Sequence, residues 1–198
     1  ETRTIFLEKP VCENEDEMNI LIDLSKNKNI NIVVNHTRRF DHRYYELYEI
    51  IEKNILGKFI SGSIIYYSGW NHNGVHVIDT LSYIFNDKVI INSLNKVIKS
   101  PYKNDPTIEA TLCFKKSPGL INLVSYDEKH YQLFEFDLLF KDGRIIMDGN
   151  LDKLLESTLD YHQFQIEFDN LSDELYKSLS NIATVVSPSR INNIFHFY

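Results

Sequence analysis

Two stretches of the sequence, TIFLEKP (residues 4–10) and INIVVN (residues 30–35), decide the fold. The first is a β-rich run that stops at its final proline, because proline cannot donate to a strand ladder. The second is a largely apolar run, which is typical of a strand buried on both faces of a sheet. Between them, residues 13–27 have helical spacing, with acidic residues first and lysines last. This order predicts a right-handed parallel β–α–β unit.

A single unit of this kind cannot bury both faces of its own sheet. We therefore expect that more of the parallel sheet lies outside this sequence, and that residues 1–38 are the carboxyl-terminal remnant of a larger α/β domain. The next segment, Asp41–Leu56, has an apolar stripe at helical spacing and Gly57 as its stop.

Residues 39–198 form a second, strand-rich unit. Short turns between successive strands, such as Lys141-Asp142-Gly143, predict an antiparallel sheet. A helix over Val75–Phe85 interrupts the strands, and another over Asp169–Val186 is expected to cover a sheet face. The predicted strands are Phe59–Tyr67, Val89–Lys99, Ile108–Phe114, Leu120–Tyr126, Leu133–Phe140 and Arg144–Met147.

These patterns predict a fold class of α/β plus α+β, in which a remnant of a parallel sheet is followed by an α/β domain with a large, mostly antiparallel open sheet. Such a sheet has few helices to cover its two faces, so we expect one side to stay apolar and to self-associate. Its strands supply Ile64, Tyr66, Leu112, Phe114, Leu123, Phe134, Phe136 and Leu138.

Composition limits the classes of function. Hydrophobic residues make up 43% of the 198 residues, and the net charge of -7 argues against a nucleic-acid surface, which needs clustered Lys and Arg. No apolar run approaches the ~20 residues of a membrane span, and no signal peptide is visible. Cys12 and Cys113 lie far apart, so we expect two buried thiols in a reducing compartment, the cytoplasm.

Cationic residues follow both predicted parallel strands. Lys9 ends the first strand, and Asn35 and Arg38 follow the second. Because open α/β sheets bind ligands at the carboxyl ends of their strands, Lys9 and Arg38 are expected to share one rim. Two cations there suit phosphates or sugar hydroxyls. The alternative is a pair of solvated surface charges.

A histidine pair marks the start of the Val75–Phe85 helix. His72, His76 and Asp79 project to one side if all three open the helix, and Trp70 lies beside them. In the alternative interpretation, Asn73 caps the helix and Asp79 is a solvated charge. H-x-x-x-H spacing also suits zinc, but position 73 is not the glutamate of H-E-x-x-H, so a zinc hydrolase is a minor alternative.

Four blocks in this order resemble the Gfo/Idh/MocA family, the relatives of glucose–fructose oxidoreductase and inositol dehydrogenase. They are Glu8-Lys9-Pro10, Arg38-Arg39-Phe40, Leu56-Gly57-Lys58-Phe59-Ile60 and His76-Val77-Ile78-Asp79-Thr80-Leu81. The resemblance implies that residues 1–38 are the end of a dinucleotide-binding Rossmann domain. It implies that residues 39–198 are a substrate-binding and oligomerisation domain, forming a homodimer or homotetramer through the sheet.

The cofactor implied by the resemblance is NAD or NADP. The family's G-x-G-x-x-G loop has no counterpart in this sequence, so we expect the cofactor to bind only the complete protein and this chain alone to be inactive. Glu8, Lys9 and Pro10 are the expected cofactor contacts.

The resemblance also implies roles for single residues. Lys9 contacts the substrate hydroxyl and the nicotinamide ribose, and His76 is the acid/base, its pKa lowered by the lysine charge. Asp79 holds the helix or orients a ring. From their positions rather than from the resemblance, we expect His72, Asn73, Arg38 and Trp70 to bind the substrate, and we assign no metal ligand.

His72 departs from the family pattern, since many of its dehydrogenases carry aspartate four residues before the histidine. The string His72-Asn73-Gly74-x-His76 resembles a branch associated with nucleotide-sugar or surface-polysaccharide pathways. The expected substrate is therefore a sugar or nucleotide sugar. The remaining alternative is a non-catalytic ligand-binding or dimerisation module derived from the same family.

Overall fold

A computed structural model describes residues 3–126, 134–148, 163–168, 187–189 and 194–197. Its amino-terminal unit is the predicted β–α–β: strand β1 (Arg3–Leu7), helix α1 (Glu15–Lys28) and strand β2 (Ile30–Val34). The two strands pair in parallel, with Leu7 opposite Val34, so their carboxyl ends meet at one edge.

Helix α1 begins and ends at asparagines. The Asn14 side chain accepts the backbone N–H of Glu17 at 2.9 Å, and Asn29 closes the helix in the left-handed conformation, at a φ of 51°. No residue of α1 is buried, and Leu21 on its apolar side is only half-buried.

A 3-10 segment (Thr37–Phe40) leads into helix α2 (His42–Glu52). Asp41 caps α2 by accepting the Arg43 backbone N–H at 3.0 Å. The helix ends five residues before the predicted glycine stop, because Asn54 takes a left-handed φ of 53° and turns the chain first.

Nine strands form one large sheet within the described residues. Five follow the sequence prediction closely: β3 (Phe59–Tyr67), β4 (Val89–Ile98), β5 (Thr107–Phe114), β6 (Leu120–Tyr126) and β7 (Phe134–Phe140). The sixth predicted strand, β8, spans Gly143–Asp148. Three more were not predicted: β9 (Gln163–Phe168), β10 (Ser187–Ser189) and β11 (Ile194–Phe197).

The strand order is β10-β11-β9-β8-β7-β3-β6-β5-β4. All pairs are antiparallel except β3 with β6, where Ile64 lies opposite Leu123. The mostly antiparallel sheet is therefore confirmed. The helix predicted over 169–186 falls outside the described residues.

A π-helical turn (Trp70–Gly74) and helix α3 (Val75–Ile84) follow β3. Helices α2 and α3 share one hydrophobic core with one face of the sheet. All eight apolar strand residues named above are buried in that core, so they do not form an open apolar face. Opposite them, Ser63 lies between Asn122 and Asp137, and the uncovered face mixes polar and apolar side chains.

The two cysteines differ from expectation. Cys12 and Cys113 are free thiols, as their separation predicted, but each is half-buried rather than buried. Cys12 follows the end of β1, in a unit whose helix buries no residue. Cys113 lies on β5, where the strand's buried residues alternate with its half-buried ones.

Candidate functional site

Lys9 joins the two units of the chain. It stands just after β1, and its amine donates a 2.5 Å hydrogen bond to the backbone carbonyl of His72 in the π-helical turn. Burial lowers the pKa of Lys9, although the negative charges of Asp105 and Glu8 act in the opposite direction. The amine therefore lies at the junction between the carboxyl edge of the small sheet and the start of α3.

His76 occupies the first turn of α3 and is half-buried. Burial lowers the pKa of His76 to about 4, and the nearby charges of Arg38, Lys9 and His36 add to the effect. The ring is therefore neutral at neutral pH. Lys9, Arg38 and His76 lie close enough to act on one another electrostatically, so the structure brings these three predicted residues together.

Arg38 lies on the same rim. Its Nε donates to the Tyr44 hydroxyl at 3.2 Å, and its guanidinium carbon lies 4.0 Å from the centre of the Phe134 ring. These contacts hold the guanidinium against the large sheet, on the side that faces Lys9 and His76. The Arg38 guanidinium is thus held by specific contacts, which does not fit the alternative of a solvated surface charge.

Sequence reasoning missed His36. Its ring meets that of His76 edge to face, with 6.2 Å between the ring centres. Its Nδ1 lies 3.6 Å from an Asp79 carboxylate oxygen, too far for a hydrogen bond. The sequence signal that could have identified His36 is its position just beyond the end of β2, at the same rim as Lys9.

Asp79 holds α3 against the 3-10 segment. Its carboxylate accepts Arg39 Nε at 2.9 and 3.1 Å, and Arg39 Nη2 lies 2.8 Å away. This two-pronged ion pair fixes the start of α3 beside Arg38. These contacts fit the prediction that Asp79 holds the helix, and they do not fit the alternative in which Asp79 is a solvated charge.

His72 is not on the α3 face that carries His76, because it belongs to the preceding π-helical turn. Its Nδ1 lies 2.9 Å from Asp105 Oδ2, and its ring stacks on Tyr102 with the centres 3.8 Å apart and an interplanar angle of 8°. Asp105 and Tyr102 come from the loop between β4 and β5. No sequence motif marks either of them.

Asn73 and Trp70, two of the residues predicted to bind substrate, stabilise the π-helical turn. Asn73 Nδ2 donates to the Ser68 carbonyl at 2.7 Å. No side chain caps α3, so Asn73 does not cap this helix as the alternative interpretation predicted. Trp70 packs against the core and lies so close to Gly74 that an added Cβ would be 2.4 Å from its ring. These contacts give both residues a structural role.

Glu8 and Pro10, the remaining cofactor candidates, flank Lys9 and are exposed. Glu8 accepts a 2.6 Å hydrogen bond from Asn35 Nδ2 and so ties the ends of β1 and β2 together. This carboxyl edge, with Lys9 and Arg38 on it, suits a ligand that carries phosphate or hydroxyl oxygens.

Two further findings concern only the described part of the chain. It contains no group of three or more His, Cys, Asp or Glu residues placed to hold a metal ion, so His72 and His76 have no third ligand there. None of its helices is both long enough and apolar enough to cross a bilayer.

Comparison with known proteins gives one curated relative and many similar structures. No family model matches the chain. Oxidoreductase P35 of Formosa agariphila is 36% identical over 62 residues, which are 31% of this chain and 19% of that protein.

Among solved structures, a dehydrogenase (MviM) from Clostridium difficile is 20% identical, with a TM-score of 0.60 over 89% of this chain and 60% of that one. An NAD binding oxidoreductase from Klebsiella pneumoniae is 10% identical, with a TM-score of 0.61 over 86% and 52%. An oxidoreductase from Bacillus cereus is 15% identical, with a TM-score of 0.59 over 84% and 56%.

At these identities the likeness is one of fold. The chain shares its fold with these dehydrogenase and oxidoreductase structures, and this is the fold that the resemblance to the Gfo/Idh/MocA family predicted. It spans between about half and three fifths of these solved structures, and a fifth of the curated relative.

Proposed function

We propose that this chain is the substrate-facing part of an NAD(P)-dependent oxidoreductase that acts on a hydroxyl of a sugar or nucleotide sugar. The observation that carries the proposal is the meeting of Lys9, Arg38 and His76 at the carboxyl edge of β1 and β2. Lys9 comes from one unit and His76 from the other, and clefts between units are where substrates commonly bind.

The proposed reaction moves a hydride and a proton from one alcohol. A bound nicotinamide ring supplies the acceptor for the hydride that leaves the carbon. The hydroxyl proton goes to the neutral imidazole of His76, because a general base must be unprotonated before it can act. The Lys9 ammonium stabilises the negative charge that develops on the oxygen.

The charges that lower the pKa of His76 also favour the alkoxide. Burial first, and then the charges of Arg38 and Lys9, keep the ring neutral at any pH well above 4. A low pKa also makes the neutral ring a weak base, and the two cations offset this by stabilising the alkoxide that forms as the proton leaves. In the direction of carbonyl reduction the protonated ring is a strong acid, but only a small fraction of it is protonated at neutral pH.

The cofactor and assembly remain part of the proposal. Glu8, Lys9 and Pro10 would contact NAD or NADP, whose glycine-rich pyrophosphate loop has no counterpart in this sequence. A homodimer or homotetramer would form through the uncovered sheet face, and the proposed compartment is the cytoplasm.

The test uses the complete protein and a panel of sugars and nucleotide sugars with NAD⁺ or NADP⁺, followed by nicotinamide absorbance. His76→Ala should lower kcat by ~10²–10⁴-fold. Lys9→Ala should be at least as damaging, since it removes an alkoxide-stabilising charge. His42→Ala is the matched control, because His42 lies at the start of α2 and its side chain is 70% exposed.

Full activity in His76→Ala would contradict the assignment of His76. Saturable sugar binding without turnover on any substrate would favour the alternative, a non-catalytic ligand-binding module.

A further inference from the structure

A buried carboxylate stands directly behind His72. Asp105 is 5% exposed, and its Oδ1 accepts the backbone N–H of Asn71 at 2.7 Å. Its Oδ2 accepts the backbone N–H of His72 at 3.0 Å and lies 2.9 Å from His72 Nδ1. Burial raises the pKa of Asp105, but these hydrogen bonds outweigh it and hold the pKa below its ordinary value. Asp105 is therefore an ionised acceptor.

Tyr102 fixes the plane of the same ring. Tyr102 stacks on His72, and its backbone N–H donates to Ser100 Oγ at 3.0 Å. Ser100 Oγ in turn donates to the Asp105 carbonyl at 2.5 Å. The β4–β5 loop thus supplies both the ring that stacks on His72 and the carboxylate that it contacts. Together they fix the position and the orientation of the His72 ring.

Glycine at position 69 permits this approach. Gly69 has a φ of +88°, and an added Cβ would lie 2.6 Å from the Tyr102 ring and 2.8 Å from the Asp105 carboxylate. Only glycine leaves room for both contacts.

The chemistry of the pair sets the tautomer of His72. An ionised carboxylate only accepts hydrogen bonds, so Nδ1 must carry the proton that it donates to Asp105. In the neutral ring, Nε2 is then an unprotonated acceptor. The side chain is 53% exposed, and Lys9 donates to the carbonyl of the same residue. The exposed ring therefore belongs to the same turn that Lys9 contacts at the proposed site.

We propose that His72, with Asp105 and Tyr102 as its positioning residues, is a specificity element that recognises a hydrogen-bond donor on the substrate, a hydroxyl or amide N–H, through Nε2. This rests on the proposed function for the identity of the site. It extends that function by naming two residues and a chemical selection: neutral donor groups are accepted, and a bare anion gains nothing from Nε2.

The first test measures the tautomer in this chain with ¹⁵N-labelled histidine and NMR. Wild-type His72 should carry its proton on Nδ1. In Asp105→Ala the acceptor of the Nδ1 proton is lost, so the tautomer with its proton on Nε2 should become more populated. Asp137→Asn, which removes an ion pair between β7 and β8 of the large sheet, should change nothing. A proton on Nε2 in the wild-type ring would overturn the proposal, even if a loop variant failed to fold.

The second test titrates glucose, UDP-glucose and inorganic sulfate, which has no O–H to donate at neutral pH, into the labelled chain. Both sugars should shift the His72 Nε2 resonance, and sulfate should not. A shift with sulfate alone, or with none of the three, would overturn the donor-recognition role. In the complete enzyme, Asp105→Ala should raise KM several-fold with little change in kcat.

These outcomes are separate from those of the proposed function. Loss of catalysis is tested at His76, whereas the tautomer of His72 is measured without cofactor or turnover.

Discussion

The pKa of His76 is the quantity that most directly tests the electrostatics of the site. NMR titration of the histidine ring protons should give a midpoint near pH 4 in this chain, well below the ordinary 6.5. Arg38→Gln removes the cation with the larger effect on the pKa of His76 and should raise the midpoint. It should not restore 6.5, because burial is the first cause of the low pKa and remains. Lys9→Gln should act in the same direction but less strongly.

The low pKa has a consequence for stability. The unfolded chain binds a proton on His76 below pH ~6.5, whereas the folded chain binds it only below about 4. The free energy of unfolding therefore falls as the pH is lowered through this window. At ~1.4 kcal/mol per pKa unit the upper limit is ~3 kcal/mol. Solvent screening of a half-exposed ring reduces this to ~1–2 kcal/mol.

The assay is urea unfolding at several pH values between 4 and 7, for wild type and His76→Gln. The glutamine variant should lose ~1–2 kcal/mol of the wild-type dependence on pH. Arg144→Gln is the control for the titration, because Arg144 pairs with Asp137 on the large sheet. A wild-type midpoint near 6.5, or an unchanged midpoint in Arg38→Gln, would refute the reasoning.

Two further predictions concern stability, each measured by urea unfolding. Gly69→Ala should destabilise the chain by ~1–3 kcal/mol, because the backbone has a φ of +88° and the new methyl would collide with Tyr102 and Asp105; an unchanged midpoint would show that the loop yields freely. Tyr66→Phe should cost ~1–3 kcal/mol, because the buried Tyr66 hydroxyl donates to the Ile108 carbonyl at 2.8 Å and accepts its N–H at 2.9 Å; a neutral substitution would mean that water replaces the hydroxyl.

The sequence predicts the positions of Lys9 and Arg38, because these positions depend on local sequence patterns. Apolar runs, helical spacing and proline place Lys9 and Arg38 at the ends of two parallel strands. Parallel strands end at a common edge, so their meeting follows from topology. The large sheet is also predictable from local pattern, because short turns join several of its successive strands.

The histidine pair shows where pattern fails. His72 and His76 are four residues apart. This spacing puts both side chains on one face of a helix only if the helix is regular from one residue to the other. The π-helical turn before α3 breaks that regularity and directs His72 toward Asp105, 33 residues later in the chain. Nothing local to either residue encodes the contact, because it depends on how the β4–β5 loop folds back over Gly69.

The early end of α2 has a similar origin. Ile55 keeps the helical spacing from Ile51, yet Asn54 leaves the helix, and Leu56 is still buried in the core. The apolar pattern therefore predicts which side chains are buried. It does not predict a helix, because an irregular turn can bury the same side chains.

The parallel pairing of β3 with β6 has a consequence for how the chain folds. Strands β4, β5 and β6 pair in sequence order, so each contact among them closes a short loop. The contact of Ser61 with Leu120 must instead span the whole of α3, β4 and β5. Loop closure loses entropy before such a distant contact returns any energy, and this slows folding. We therefore expect the β4–β6 meander to form first and the central strand β3 to dock later between β6 and β7, which joins the two halves of the sheet.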